Sequence, residues 1–295
     1  MPNIGFHQEP ESEDLIMRQK AFLRIMAKFI CYTLDLEPDF GGRVKSYSSL
    51  NDISLFQEII KKNRIKMTTF VAGHIFAKKP GVINKLLDIG SEIELHSYSH
   101  NLACQDEELE IKKSKKAYVR YFGKKPLGYR APRGIITPKG LKTLKEEGIK
   151  YDSSIYPTIV PGRYNNLRYP NSPFYHKDFG IIELPFSVIP KVRIPLAMGY
   201  LQPLGANLSK AAISLFGLPD IVVFDLHLWN LYKPVYTSKL PLKWRLLLAR
   251  NLDEGFRIFS DLIELFRQKS YKPITMKQLY YAMGEKLRNN DLAVV

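Results

Sequence analysis

Ile93-Glu94-Leu95-His96-Ser97-Tyr98-Ser99-His100 joins a short alternating apolar run to two histidines four residues apart. The run reads as a strand, and the histidines fall just past its end. A spacing of four puts both imidazoles on one side of a helical turn, close enough to share a tetrahedral ion. Two neutral nitrogens alone hold a catalytic ion poorly. The usual set adds a carboxylate and keeps one position open. The other strand ends are therefore where a carboxylate, a base and an acid are to be sought.

Outward from this stretch, strands and helices alternate. Phe29 to Leu36 and Met67 to Val71 read as strands before it, with helices over Leu50 to Lys62 and Pro80 to Ile89. After it come a helix from Asp106 to Phe122 and a short segment from Leu127 to Tyr129. A helix follows from Thr137-Pro138 to Gly148, with strand-like residues Ile149 to Asp152 beyond it. Pro157 to Phe179 reads as a long loop, followed by strands Ile181 to Pro185 and Ile221 to Leu228. Phe256, Phe259, Leu262, Ile263 and Phe266 mark an amphipathic helix, and a closing helix follows Pro273-Ile274-Thr275. Such alternation without internal repeats predicts an α/β fold: a distorted, TIM-barrel-like (β/α) barrel of seven to eight parallel strands over residues 27–285. Residues 1–26 read as an N-terminal extension and 286–295 as a C-terminal tail.

Composition is that of an ordinary globular chain, with 45% hydrophobic and 25% charged residues among 295. A net charge of +15 favours anionic partners and says little about fold. The basic run Lys112, Lys113, Lys115 and Lys116 reads as a solvated helix face. Cys31 and Cys104 make no disulfide framework and read as reduced thiols. No signal peptide or membrane-spanning stretch is visible, so the expected location is the cytoplasm. Nucleic-acid binding would rest on net charge alone, without a motif, and is not expected.

In α/β barrels, chemistry gathers at the C-terminal ends of strands. Asp35 and Glu37 lie two apart after the first strand, on one face, so one carboxylate can bind metal while the other acts as base. Asp39 competes for the metal. Tyr129-Arg130-Ala131-Pro132-Arg133-Gly134, Tyr151-Asp152-Ser153-Ser154-Ile155-Tyr156-Pro157 and Phe224-Asp225-Leu226-His227-Leu228-Trp229 follow at later strand ends.

In this order the motifs resemble the polysaccharide deacetylases, the NodB homology domain of carbohydrate esterase family 4, over about Ile30 to Tyr281. His-Ser-Tyr-Ser-His matches the family's metal motif. Arg-Ala-Pro-Arg-Gly, Asp-Ser-Ser-Ile-Tyr-Pro and Leu226-His227 resemble three further motifs, and Thr69-Phe70-Val71 matches a fourth loosely. Thr-Leu-Asp-Leu-Glu-Pro-Asp departs from the commoner adjacent aspartates and looks like the variants with one residue between base and ligand.

The resemblance implies a divalent ion, zinc first, held by His96, His100 and Glu37 (alternatively Asp39), with Asp35 as base and His227 as acid. It also implies that Arg130 orients Asp35 and that Asp152 tethers His227, a role Asp225 could share. Arg133, Tyr156, Leu226 and Trp229 are the expected substrate contacts, Tyr156 and Trp229 by stacking and Leu226 beside the acyl methyl. The expected activity is hydrolysis of the N-acetyl amide of an amino sugar in a glycan or a lipid-linked sugar. Alternatives are a formyl or other non-peptide amide on the same scaffold, or a non-catalytic carbohydrate-binding protein. The mixed Trp, Leu and basic residues of Lys239 to Arg250 read as a helix packed on the barrel, or as peripheral contact with an anionic membrane.

Overall fold

A computed structural model of the chain describes residues 28–100 and 106–289. The expected extension over 1–26 and Cys104 lie outside the described residues. Strands are β1 (Phe29–Leu36), β2 (Met67–Val71), β3 (Glu92–Leu95), β4 (Gly128–Tyr129), β5 (Tyr151–Asp152), β6 (Phe174–His176), β7 (Ile181–Glu183), β8 (Ile221–His227) and β9 (Lys272–Pro273). The principal helices are α1 (Ser54–Lys62), α2 (Pro80–Leu87), α3 (Glu107–Phe122), α4 (Pro138–Glu146), α5 (Met198–Leu204) and α6 (Ala206–Phe216). Three more follow: α7 (Leu242–Leu248), α8 (Gly255–Gln268) and α9 (Met276–Asn289).

The sheet runs β8-β1-β2-β3-β4-β5-β7-β6, with β9 beside the start of β1. Its pairs are parallel except β6 with β7. The curl from β7 back to β8 is bridged by irregular chain. Ser187 N–H donates to the Val223 carbonyl (3.2 Å), Val223 N–H donates to Ser187 Oγ (2.9 Å), and Ala197 bridges to Asp225. This is the expected distorted barrel, closed by a few hydrogen bonds and not by a full ladder.

Strand alternation sorts the residues of β1 and β8 into two environments. Ile30, Tyr32, Leu34, Val222, Phe224 and Leu226 join the large cluster that holds Phe56 of α1 and Phe259, Leu262 and Phe266 of α8. Each such side chain contributes about 1.5–3 kcal/mol by leaving water. Phe29, Cys31 and Val223 instead join Phe70, Tyr151, Ile182 and Met276, Leu279 and Tyr280 of α9 inside the sheet's curl. This apolar plug fills the base of the barrel, so the polar residues higher on the same faces of β1 and β8 line a floored site.

One glycine is required by close approach. A Cβ at Gly128 would lie 2.1 Å from Cζ of Tyr151 on the neighbouring strand. Elsewhere the sequence reading needs adjustment. The segment read as a loop from 157 to 179 contains a hairpin (Ile159–Val160 with Tyr164–Asn165) and β6. α5 and α6 went unread because Pro203 sits inside α5, and glycines at 205 and 217 cut the periodic run short. The tail expected from 286 begins inside α9, whose Leu287 packs in the plug. Cys31 is a buried free thiol.

Candidate metal centre and active site

β1 carries Thr33 and Asp35 up one face, and Glu37 continues that face beyond the strand end. All three are buried. His96 and His100 come from the far end of β3, and single ligand atoms of Glu37, His96 and His100 lie within 4.8 Å of one another. Glu37 Oε2 is 2.5 Å from His100 Nε2 and 3.3 Å from His96 Nε2, and the two imidazole centroids are 5.0 Å apart. His96 Nδ1–H donates to the Arg130 carbonyl at 2.9 Å, which leaves Nε2 to present its lone pair toward Glu37. Both nitrogens of His100 are buried without a well-aligned hydrogen-bond partner. One carboxylate and two imidazoles converging in this way fit a divalent ion of zinc type.

The two histidines do not share a helical turn. Residues 96–100 form a loop in which Ser97 (φ 59°) and His100 (φ 50°) adopt left-handed backbone. Glu110, in the first turns of α3, holds the loop. Its Oε2 accepts from Ser97 Oγ (2.7 Å), Ser99 N–H (2.7 Å), Ser99 Oγ (2.9 Å) and Tyr98 N–H (3.2 Å). Sequence reading missed Glu110, although an acid among the Ser-rich loop's nearest downstream residues is the signal to look for.

Arg130 is fully buried, its guanidinium 4.1 Å from the ring centroids of both Phe70 and Phe186. Its Nη1 donates to Asp35 Oδ1 (2.8 Å), Thr33 Oγ1 (2.8 Å) and Asp225 Oδ1 (3.0 Å). Nε donates to the Ser153 carbonyl and Nη2 to Ser153 Oγ, both at 3.0 Å. The cation is thus fixed in position and so fixes Asp35, whose Oδ2 stays free of Arg130 and stands 3.7 Å from His96 Nε2. Thr33, Phe70 and Ser153 stand in the quoted motifs without an assigned role, and Phe186 lies outside them; all four support Arg130.

Several expected roles are reassigned by geometry. Asp39 turns away from the histidines and accepts from the N–H and hydroxyl groups of Ser48 and Ser49, so it anchors a loop. Asp152 does not reach His227. Its Oδ1 accepts from Ser154 Oγ at 2.6 Å, and it pairs with the Glu183 carboxyl, pointing to the β7 side of the barrel. The carboxylate beside His227 Nδ1 is Asp225 Oδ2, at 3.8 Å on the same strand face. Leu226, the residue between them, faces the opposite way into the helix-side core. Trp229 is buried against Phe40 and donates from Nε1 to Glu37 Oε1 at 3.2 Å, so it orients the carboxylate and offers no open stacking face. Tyr156 is stacked on Phe186 at 3.6 Å and is likewise wall. Arg133 is exposed, on a left-handed turn (φ 60°) four residues past the end of β4. His74, near the end of β2, is held by Tyr47 Oη and the Tyr98 carbonyl.

Electrostatics follow from this crowding. Burial opposes ionisation of Glu37, but the charges of His100 and His227 and hydrogen bonds from His100 and His96 outweigh it and hold the carboxyl well below its usual range. Burial and the charge of Asp35 push Asp225 well up, against Arg130. Burial raises Asp152, and the Glu183 charge raises it further. Burial likewise pushes Glu183 up to about 7. Asp152 Oδ2 and Glu183 Oε2 are buried without a well-aligned partner, with His176 Nε2 3.7 Å from Glu183 Oε2, and two carboxyls so placed share a proton.

Residues 53–151 match the family model described as polysaccharide deacetylase. The chain is related to the polysaccharide deacetylases. The stretch ends one residue short of Asp152 and includes His96, His100 and Arg130. A peptidoglycan deacetylase of Helicobacter pylori is 29% identical over 149 residues, 44% of this chain and 51% of that one. A peptidoglycan-N-acetylglucosamine deacetylase of Bacillus cereus is 32% identical over 95 residues, 31% of this chain and 44% of that one. The chain therefore spans about half or less of the length of these relatives. Among solved structures, a Mycobacterium smegmatis protein assigned to the polysaccharide deacetylases superposes with TM-score 0.59 at 19% identity, covering 88% of this chain and 92% of that one. A Bacillus anthracis protein described as a CE4-family pseudoenzyme gives TM-score 0.51 at 12% identity, with 86% and 65% covered. These last two likenesses establish the deacetylase fold. Among the described residues, no helix is long and apolar enough to cross a membrane.

Proposed function

We propose that the chain is a metal-dependent hydrolase that removes the N-acetyl group of an amino sugar in a glycan. The observation that carries this reading is the convergence of Glu37, His96 and His100 within 4.8 Å, beside an Asp35 fixed by buried Arg130. The deacetylase names of the relatives support the substrate class. When bound, a divalent ion, zinc by its donor set, supplies a Lewis acid that polarises the amide carbonyl and acidifies water. Asp35 accepts the attacking water's proton at Oδ2, since Oδ1 is engaged by Arg130. His227 Nε2, 3.3 Å from Glu37 Oε1 and 4.0 Å from Asp35 Oδ2, faces the same space; in its protonated form, which burial disfavours and the charges of Glu37 and Asp35 favour, it protonates the departing amine. An amide anion leaves badly, so this proton is needed for C–N cleavage. Asp225 and the stacked Trp229 ring, 4.5 Å away, orient the imidazole.

Wild type and His100→Ala should be compared for bound metal and for acetate or formate released from acylated amino sugars. The reading expects an equimolar ion in wild type, lost in the variant, together with acetate release. Unchanged metal content in His100→Ala, or no acyl release from any acylated amine, refutes it.

A second observation bears on where such a substrate is met. Leu242 (61% exposed), Leu246 (64%) and Leu247 of α7 face solvent, beside exposed Val235 and Tyr236. Residues 226–252 contain Lys233, Lys239, Lys243, Arg245 and Arg250 and no Asp or Glu. Lys233 pairs with Asp253 (3.0 Å), and apolar side chains among the other four cations suit the surface of an anionic bilayer. Sedimentation with phosphatidylglycerol vesicles, absent with neutral vesicles and reduced in Leu242→Ser/Leu246→Ser, is the expected result. No binding to either kind of vesicle removes the idea.

A further inference from the structure

Beside the three metal ligands lies a second set of donors. Single ligand atoms of Asp35, Asp225 and His227 lie within 4.8 Å of one another. The parallel register of β1 and β8 sets Asp35 opposite His227 and Thr33 opposite Asp225, so all three donors rise on one face of adjacent strands. Arg130 divides the carboxylate oxygens between two directions. Its Nη1 donates to Oδ1 of Asp35 (2.8 Å) and to Oδ1 of Asp225 (3.0 Å), and Thr33 Oγ1 adds a donation to Asp225 Oδ1 at 3.3 Å. Asp35 Oδ2 and Asp225 Oδ2 are left toward the imidazole, 4.0 Å from Nε2 and 3.8 Å from Nδ1 respectively. His227 Nδ1 is buried without a well-aligned hydrogen-bond partner. These separations are too long for hydrogen bonds. They suit donors around a shared ion, because two ligands each about 2.0–2.2 Å from zinc stand roughly 3–4 Å apart.

Glu37 ties this set to the first. Its Oε2 meets His100 Nε2 (2.5 Å) and His96 Nε2 (3.3 Å), while its Oε1 stands 3.3 Å from His227 Nε2. Oε1 also accepts from Trp229 Nε1, which leaves it a second lone pair. Asp35 reaches across in the same way, with Oδ2 3.7 Å from His96 Nε2 and 4.0 Å from His227 Nε2. A carboxylate with one oxygen toward each donor set suits a pair of ions about 3.5–4 Å apart.

We propose that Asp35, Asp225 and His227 form a second, weaker divalent-cation site, bridged to the first by Glu37, whose occupation inhibits the enzyme. The inhibition rests on the deacetylase reading, since an ion held there takes up the base and the acid together. The binding is testable without turnover. One imidazole and two carboxylates are a donor set of zinc type. Arg130 and the first ion already offset the carboxylates, so the second ion enters only at higher free metal, and one ion per chain is expected at low free zinc.

Zinc binding to wild type and to Asp225→Asn is measured by equilibrium dialysis over a range of free zinc, with melting as the check that the variant folds. Wild type should take one ion tightly and a second about tenfold or more weakly. Asp225→Asn should keep the first ion and weaken the second about tenfold or more. Saturating manganese provides a readout on wild type alone: two neighbouring ions give an exchange-coupled electron paramagnetic resonance spectrum, which the variant should lack. Acetate release by wild type should be highest with one ion and fall about 100-fold as the second binds, because base and acid are both engaged. A chelator that removes only the weaker ion should restore it. A single ion at every zinc concentration, a second ion held equally well by Asp225→Asn, an uncoupled manganese spectrum, or undiminished acetate release with two ions bound overturns the proposal. Acetate release with one ion and no second would leave the deacetylase standing and the second site refuted. Two coupled ions without acyl release from any acylated amine would do the reverse.

Discussion

Glu183→Gln should change the pH dependence of folding stability while sparing the reaction centre. Glu183 and Asp152 are buried on paired positions of β7 and β5, each with an oxygen lacking a well-aligned partner, and His176 Nε2 is 3.7 Å from Glu183 Oε2. Burial pushes the Glu183 carboxyl from 4.5 to about 7 in the folded chain. A group with a raised folded pKa binds its proton more tightly when folded. Its contribution is therefore complete below about 4.5 and is lost as pH rises through about 7. At about 1.36 kcal/mol per unit, that rise corresponds to about 3 kcal/mol of stability lost across this window. Glutamine keeps the carbonyl that accepts from Ile155 N–H (2.9 Å) and offers N–H to Asp152, so packing is retained. Urea unfolding followed by tryptophan fluorescence at pH 5, 6, 7 and 8 gives both stability curves. The wild-type curve, minus that of Glu183→Gln, should fall by about 2–3 kcal/mol from pH 5 to pH 8. A flat or rising difference refutes the shared proton. It would also reopen a charged Asp152 acting at a distance on His227, which the neutral, Glu183-facing carboxyl otherwise excludes.

Three further outcomes follow from the same geometry. Asp35→Asn should retain the ion, because Glu37, His96 and His100 are untouched, and should lower kcat about 10²–10⁴-fold in an acetate-release assay. Glu110→Gln weakens four hydrogen bonds to the loop carrying His96 and His100, and should loosen metal affinity about 10–100-fold in a chelator competition. Gly128→Ala drives a methyl into Tyr151 on the next strand, and should cost about 1–3 kcal/mol in urea unfolding, with the residual folded enzyme keeping its metal.

What was legible in the sequence was whatever depends on local pattern. The bounds of β1 and β2 follow from apolar runs bounded by turn residues, and the start of α4 from Thr137-Pro138, whose threonine does cap Gly140 N–H. Strand alternation placed Asp35 and Glu37 on one face because side-chain direction repeats every second residue. The same rule, applied one residue further along β8, would have turned Leu226 away from the site and left Asp225 with His227. α5 and α6 escaped because proline and glycine interrupt their periodicity, while burial against α8 and β8 stabilises them regardless.

The sequence by itself determined the alternating α/β order, the strand-end position of the chemical residues and the face on which each strand residue lies, since these are properties of neighbouring residues. Only the tertiary structure decided which distant groups meet. It set Glu37, not Asp39, with the histidines, paired Asp152 with Glu183, and put Trp229 behind Glu37. Those pairings depend on how strands register and how loops fold back over the barrel mouth. Burial energy summed over the whole core sets that register, and no local spacing encodes it.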